Sequence, residues 1–326
     1  MTLALVWQLA VALAGTPKGT PAPSPGAPSD SVPERRYAVE RGTVLIYRGP
    51  RLSNLVSGVP ATLAATVRST VQREHLLTVG GVVASSVILI AYDQQLLDET
   101  RRFSARIHLS QAHPSIDIRA GPIKVIAIPK TISSGLYFLG DGWTDILLAG
   151  GFGAYGTLRH DWRAQSTATQ IASALIASGA ITQTLKRITG RQSPRQATAS
   201  GGLWRPLPGF KEFNANVDSY DAFPSGHLSD AMATVTIIAG NYPERRWIRP
   251  VGYSLMAGLS LAMVNSGVHW VGDYPAALAI GALVGEITVA RGRSIERDGI
   301  QSTKHSVHFI PLLAPNAIGV RIPLSL

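Results

Sequence analysis

The sequence predicts an all-α protein, a helical bundle of about six core helices that is embedded in a membrane. Uncharged runs of helical length recur along the chain, and most are rich in Gly, Ala, Ser and Thr, which lets helices pack closely. Few stretches alternate apolar and polar residues as strands do. Charged residues make up only 15% of the 326 residues and hydrophobic residues 45%, so a large core or a bilayer accommodates much of the chain.

The first 36 residues are expected to lie outside the folded domain. Residues 3–15 form an apolar run that is short for a membrane span and ends in Ala-Leu-Ala, a pattern typical of a cleaved signal peptide over residues 1–14. An uncleaved membrane anchor is the alternative, since no Lys or Arg precedes the run. Residues 15–36 are rich in Pro, Ser, Gly and Ala, which predicts a disordered linker.

The rest of the chain divides into an N-terminal helical segment over 37–140, a helical core over 141–292 and a tail over 293–326. The predicted helices coincide with the uncharged runs 76–92, 146–158, 164–185, 231–242, 251–268 and 274–285. Three of these runs approach the roughly 20 residues that a membrane span needs, which favours a membrane bundle. Because the other runs are shorter and polar residues interrupt several of them, a soluble periplasmic bundle is the alternative.

The charge and composition of the chain indicate which molecules it can bind. The formal net charge of +10 suits a phosphorylated substrate or an anionic membrane. The basic residues are scattered and form no stripe interleaved with aromatic residues, so nucleic acid is not an expected partner. The chain has no cysteine, and its histidines other than His227 and His269 show no ligand-like grouping with carboxylates, so no metal site is expected.

Three polar segments fall at predicted helix ends. Residues 186–195 follow the helix at 164–185, residues 224–227 precede the next helix, and residues 269–273 follow the helix at 251–268. In a bundle whose helices alternate up and down, these three ends lie on one face. This face is the candidate site.

The segment Pro-Ser-Gly-His at 224–227 combines a helix start with an acid–base group. Ser225 is a typical N-cap residue and Gly226 permits close backbone approach, so free N–H groups there can bind phosphate oxygens. His227 can protonate a leaving alkoxide near neutral pH. The alternative is plain capping beside a surface histidine.

His269 and Asp273 are spaced as a nucleophile and its orienting carboxylate. A carboxylate on one ring nitrogen would fix the tautomer, so that the other nitrogen attacks. The alternative is that Asp273 caps the helix that Pro275 begins, with His269 filling the turn. The occurrence of all three segments at these helix ends favours a catalytic site.

These residues resemble the superfamily of type 2 phosphatidic acid phosphatases, bacterial class A acid phosphatases and vanadium-dependent haloperoxidases. The family pattern is Lys, six residues, Arg-Pro; then Pro-Ser-Gly-His; then Ser-Arg, five residues, His, three residues, Asp. Here the first motif runs from Lys186 to Pro194, the second is intact at 224–227, and the third ends in His269 and Asp273.

The resemblance implies a phosphatase of the bacterial cell envelope that hydrolyses a lipid phosphate or pyrophosphate monoester. His269 would form a phosphohistidine, Asp273 would orient it, and His227 would protonate the leaving group. Three further residues would hold the phosphoryl oxygens: Lys186, Ser225 and Gly226. No metal or other cofactor is implied. The site would face the periplasm from the inner membrane, or the protein would be soluble in the periplasm.

Two departures from the family pattern affect the expected phosphate clamp. Ser193 and Met263 stand where the family has arginines that would hold the equatorial phosphoryl oxygens. We expect Arg191, close after the predicted helix end, to supply part of the missing charge. Because these two arginines are missing, the protein could instead be a catalytically impaired relative that binds an anionic lipid head group. A vanadate haloperoxidase is a further alternative.

Overall fold

Helices dominate the computed structural model, which describes residues 33–40, 42–49, 54–121, 123–140 and 142–297. The prediction of an all-α fold is confirmed, and small sheets accompany the helices. The predicted signal peptide at 1–14, the predicted linker up to residue 32 and the tail beyond residue 297 lie outside the described residues.

Each of the six uncharged runs is helical. The helices are α1 (Asn54–Ser57), α2 (Val59–Thr70), α3 (Leu76–Ala91), α4 (Asp93–Arg106), α5 (Ile132–Phe138), α6 (Gly142–Leu158), α7 (Trp162–Thr189), α8 (Phe210–Ala215), α9 (Gly226–Asn241), α10 (Ile248–Asn265) and α11 (Tyr274–Gly292). Short 3₁₀ turns occupy Arg73–His75, Val217–Ser219 and Val271–Asp273.

The strands correct two of the sequence predictions. They are β1 (Glu34–Glu40), β2 (Thr43–Arg48), β3 (Ser115–Ala120), β4 (Ile123–Pro129) and β5 (Ser294–Arg297). Strand β1 begins inside the predicted linker at 15–36, and the segment 37–140, predicted to be helical, contains strands as well. Along β2 only Leu45 and Tyr47 are fully buried, the alternation of a half-buried strand, over a stretch too short to stand out in the sequence.

The two sheets are small and antiparallel. Strand β2 is central in a three-stranded sheet and pairs with β1 on one side and β5 on the other. Strand β5 directly follows α11, so this sheet lies at the end of the bundle where α11 finishes. Strands β3 and β4 form a separate hairpin ahead of α5.

Helices α7, α9 and α11 pack against one another at the centre of the bundle. Small residues allow the close contact between α9 and α11: a Cβ atom at Gly281 would lie 2.2 Å from the carbonyl oxygen of Ser229. Close approach of this kind is what the Gly- and Ala-rich runs predict. The apolar core includes Leu228 and Met232 of α9 and Leu278 of α11.

Helix α7 sets the position of the candidate site. It begins at the N-cap Asp161, whose side chain accepts hydrogen bonds from the backbone N–H groups of Arg163 and Ala164. It ends at Gly190, whose backbone is left-handed with φ +55°. A Cβ at this position would lie 1.8 Å from the carbonyl oxygen of Arg205, so both the backbone angle and the space require glycine.

Among the described residues, two helical stretches are long and apolar enough to cross a membrane, Arg73–Ala91 and Val271–Gly292. They differ in their surroundings, because 6% of the first and 67% of the second is buried within the protein. The second is thus a core helix of the bundle, whereas the first presents its apolar surface outward.

Candidate active site

His269 lies in the turn after α10 and is almost fully buried, with 1% of its surface exposed. Its Nδ1 atom is 2.8 Å from the carbonyl oxygen of Ala222. Because a carbonyl only accepts hydrogen bonds, Nδ1 carries the proton and Nε2 carries the free lone pair. Within the described residues Nε2 has no hydrogen-bond partner. The ring is therefore held in the tautomer that a nucleophile needs.

His227 lies in the first turn of α9 and is half-buried. Its ring faces that of His269 edge to face, with 5.7 Å between the ring centroids and 72° between the planes. The second and third motifs thus bring their two histidines into contact distance. A phosphorus atom bound at Nε2 of His269 would have the second imidazole close by.

Both histidines are neutral at neutral pH. Burial lowers the pKa of His269 to about 3, and the cation of Lys186 adds to this effect. Burial also lowers the pKa of His227 well below its usual 6.5, assisted by His269 and Lys186. A neutral His269 is ready to attack, whereas His227 needs an anion beside it before it can hold a proton.

Asp273 has a different partner from the one expected. Its Oδ2 atom is 3.5 Å from Nδ1 of His269, longer than an ordinary hydrogen bond, and accepts instead from the backbone N–H of Trp270 at 2.8 Å. The Ala222 carbonyl, not this carboxylate, fixes the tautomer of His269. Asp273 stands at the N-cap position of α11, but its side chain makes no capping hydrogen bond to that helix and instead caps the 3₁₀ turn Val271–Asp273.

Lys186 and Gly226 meet where the last turn of α7 approaches the start of α9. Lys186 is 4% exposed, and its Nζ atom is 3.3 Å from Oδ2 of Asp221. A Cβ at Gly226 would lie 3.8 Å from the same Nζ. The ammonium group therefore stands at the helix N-terminus, where backbone N–H groups and the helix dipole also favour an anion.

Ser225 is the N-cap of α9, as the sequence predicts. Its hydroxyl accepts from the backbone N–H of Leu228 at 3.4 Å, and its own N–H donates to the carbonyl of Asp273 at 3.3 Å. The latter bond ties the second motif to the third. Ser225 is fully buried, and the contact described for its hydroxyl is that of a helix N-cap.

The position of Arg191 corrects the expectation that it clamps phosphate. Its side chain is fully enclosed, with Nη1 2.6 Å from Oδ1 of Asp273 and Nη2 2.5 Å from Oδ2 of Asp93. The guanidinium also lies over the rings of Trp204 and Trp270, at 4.8 and 5.4 Å from their centroids. The buried carboxylates of Asp93 and Asp273 hold the guanidinium on the Nδ1 side of His269.

Asp93 is a residue that sequence reasoning missed. It starts α4, is 1% exposed, and its Oδ1 accepts from the backbone N–H of Gly272 at 2.8 Å. Burial raises its pKa to about 6, against the opposing effect of Arg191. The available signal is a carboxylate placed directly after the apolar run at 76–92. Its partner is 98 positions away in the chain, which no local pattern reveals.

The two positions that lack the family arginines are sealed in the interior. Ser193 is 1% exposed, and its backbone N–H donates to the carbonyl of Asp218 at 3.0 Å. Met263 is fully buried in the apolar core with Leu259 and Trp270. Neither position supplies charge to the site.

The family described as "PAP2 superfamily" matches residues 167–293. This part of the chain belongs to the PAP2 superfamily. The match confirms the resemblance drawn from the motifs, and it runs from the first turns of α7 to the end of α11, so it contains both histidines, Lys186 and Asp273. Asp93 lies outside the PAP2 domain and contacts it from the N-terminal segment.

A curated relative is named "Lipid A 1-phosphatase", from Porphyromonas gingivalis (strain ATCC 33277). It is 31% identical to this chain over 68 residues, which make up 21% of this chain and 15% of the relative. The chain thus aligns with well under a quarter of that protein's length. No solved structure matches the chain.

Proposed function

We propose that the PAP2 domain hydrolyses a phosphate or pyrophosphate monoester of a lipid through a phosphohistidine on His269. The observation that carries this proposal is the unprotonated Nε2 of His269, whose ring lies beside that of His227. The anion-binding arrangement of Lys186 and the start of α9 supports it. The name of the curated relative supports a lipid as the substrate.

In the first step, Nε2 of His269 attacks the terminal phosphorus, and the bond from this phosphorus to the leaving oxygen breaks. The leaving group is the lipid alkoxide of a phosphate or the lipid monophosphate of a pyrophosphate. A dianionic phosphate beside His227 raises the pKa of this histidine, which then transfers its proton to the leaving oxygen. The phosphorylated ring keeps its proton on Nδ1 and is cationic. The carboxylate of Asp273, 3.5 Å from Nδ1, offsets that charge.

In the second step, water attacks phosphorus while the neutral His227 accepts a proton from it. The bond from phosphorus to Nε2 breaks, which releases inorganic phosphate and restores neutral His269. Lys186 and the backbone N–H groups at the start of α9 hold the phosphoryl oxygens throughout. We assign Arg191 a positioning role, because its guanidinium binds Asp273 and Asp93.

The direct test is phosphate release by the purified full-length chain, compared with His269→Asn. Asparagine keeps an N–H donor near the Nδ1 position but lacks the attacking nitrogen. The substrate panel contains phosphatidic acid, an isoprenoid pyrophosphate and a lipid A phosphorylated on its anomeric carbon. The matched control is His108→Asn, an exposed position whose left-handed backbone asparagine tolerates. Release that persists in His269→Asn would refute the proposal.

A second candidate function is binding of an anionic lipid head group without turnover. It is favoured because uncharged Ser193 and Met263 replace two family arginines and because Arg191 is enclosed, which reduces the charge available to a transition state. Under this alternative, no phosphate is released from any lipid of the panel, and head-group binding is the same in wild type and His269→Asn.

We further propose that the protein is a membrane protein whose site faces the periplasm. The exposed apolar surface of α3, with Leu77 91% exposed, supports contact with lipid. The cysteine-free sequence permits a clean topology test. Lys211→Cys marks the site end and Arg249→Cys the opposite end, both at exposed positions. A membrane-impermeant maleimide should label only the former in intact cells; the reverse pattern would place the site in the cytoplasm.

A further inference from the structure

A polar cavity lies at the end of the bundle opposite to the histidines. It has a volume of about 380 Å³, opens to solvent, and is lined by strands β1, β2 and β5 and helices α2, α7 and α11. Gln170 of α7 lines it, sixteen residues before Lys186. At 1.5 Å per residue, the two side chains are separated by about 24 Å along the helix. We call this cavity the basal pocket; it is separate from the catalytic site.

The lining of the basal pocket is rich in hydrogen-bond donors. Hydroxyl groups come from Thr62, Ser166, Thr169 and Thr288, among others. The charged groups are the arginines at positions 48, 291 and 293 and the carboxylate of Glu34. Glu34 pairs with Arg48 through an Nε to Oε1 distance of 3.1 Å. Since Glu34 and Arg48 offset each other, Arg291 and Arg293 give the lining a net positive charge.

Two of the lining residues each carry a buried polar atom that has no hydrogen-bond partner in the part of the chain that the structure describes. These atoms are Nε2 of Gln170 and Oγ1 of Thr288, on side chains 5% and 6% exposed. Oε1 of Gln170 accepts from Nδ2 of Asn241 at 2.7 Å, which orients the amide and leaves its NH₂ group as the donor. A buried donor without a partner is costly, so an acceptor ligand here is favoured.

Arg293 is held in place on the same lining. Its Nη1 donates to the carbonyl oxygen of Gly240, and its guanidinium hydrogen-bonds Tyr47. Burial lowers the pKa of Arg293, with an opposing effect from Tyr47. An anion bound next to it would offset this loss of hydration.

We propose that the basal pocket binds a phosphoryl group, with Arg291 and Arg293 supplying charge and with Gln170 and Thr288 donating hydrogen bonds. A phosphoryl group accepts several hydrogen bonds at once and matches the planar fork of arginine, which suits a lining of donors. The volume lies within the usual range for small-ligand sites. The phosphoryl group belongs either to free phosphate or to the glycerophosphate head group of an anionic lipid.

The first arm of the test uses inorganic phosphate. Calorimetric titration into the purified full-length chain in detergent compares wild type with Arg291→Gln and Thr288→Val. The matched control is Arg249→Gln, which removes an exposed charge at the same end of the bundle but outside the pocket. We expect each pocket variant to weaken one binding component about tenfold, while the control and the hydrolytic activity stay unchanged.

The second arm separates the two sources of the phosphoryl group. Native mass spectrometry from nanodiscs compares retention of phosphatidylglycerol with that of phosphatidylcholine. Selective retention of phosphatidylglycerol that Arg291→Gln removes, without binding of inorganic phosphate, identifies a lipid head group; the opposite result identifies free phosphate. The proposal is overturned if neither probe binds, or if Arg291→Gln and Arg249→Gln have equal effects, since this would indicate general charge attraction.

Discussion

Arg191 and Asp273 form an ion pair in which both side chains are fully buried, with Nη1 and Oδ1 2.6 Å apart. The pair joins the first motif to the third, and Asp93 on the other side of the guanidinium joins both to α4. An isolated buried charge is very costly, so the three groups stabilise one another only as a set. The segment before the PAP2 domain is therefore part of the framework that positions His269.

This arrangement predicts a large effect at Asp93. Asp93→Asn keeps the shape and the acceptor for Gly272 but removes the counter-charge for Arg191. We expect the free energy of unfolding to fall by about 3 kcal/mol in denaturant titrations. Asp98→Asn, on the same helix and only partly buried, should change it by less than about 0.5 kcal/mol. Equal effects of the two substitutions would show that the buried set does not depend on Asp93.

Lys186 is predicted to hold the phosphoryl group. Lys186→Gln removes the cation at the start of α9, so we expect kcat/KM for lipid phosphate to fall about a hundredfold. Its neighbour Arg187 bonds Gln183 and lies over the ring of Phe213, so Arg187→Gln should leave kcat/KM near the wild-type value. A smaller loss in Lys186→Gln than in Arg187→Gln would contradict the assignment.

The backbone at Gly190 yields a stability prediction. Gly190→Ala should lower the free energy of unfolding by about 3 kcal/mol or more, or prevent folding, because φ is +55° and the Cβ would collide with the carbonyl of Arg205. Gly179→Ala in the middle of the same helix meets nothing within 4 Å and should raise stability by about 0.5–1 kcal/mol. We expect the two substitutions to shift the midpoint of thermal unfolding in opposite directions. An unchanged midpoint in Gly190→Ala would refute the prediction.

The lowered pKa of His269 predicts that the free energy of unfolding depends on pH. In the unfolded chain the imidazole takes up a proton near pH 6.5, whereas the folded protein resists protonation until about pH 3. This histidine therefore favours the unfolded state increasingly as pH falls from 6.5 towards 3.

The comparison that isolates this contribution is wild type against His269→Asn. As pH is lowered from 7 to 4.5, wild type should lose stability relative to the variant by up to about 1.4 kcal/mol per pH unit below 6.5. Comparing the two proteins cancels the contributions of the titratable groups that they share. Parallel pH profiles would mean that His269 titrates normally.

Local signals in the sequence predicted the helical core well. Uncharged runs, the N-cap at Ser225 and the helix end near Gly190 depend on neighbouring residues, so they identify α7 and α9 without knowledge of the fold. The motifs also predicted that Lys186, His227 and His269 meet, because helix ends in an alternating bundle share a face. Strand β1 escaped detection because it and its partner β2 are only seven and six residues long.

The partners of the charged groups could not be predicted. Arg191 was expected at the phosphate because it closely follows the predicted end of α7, but long-range pairing with Asp93 and Asp273 determines its place. The Ala222 carbonyl likewise replaces Asp273 as the acceptor from His269, which depends on how the loop before α9 closes over the turn after α10. Such contacts arise from tertiary packing and leave no periodic pattern.

The most direct test of the account is to trap the covalent intermediate. Wild type and His269→Asn are mixed with a lipid substrate labelled with ³²P on its phosphoryl group and quenched in alkali, because the nitrogen–phosphorus bond is labile in acid. Peptide mass spectrometry then locates the label. The account predicts label on His269 in wild type and none in His269→Asn; turnover of the substrate with the label absent from His269, or on another residue, would contradict it.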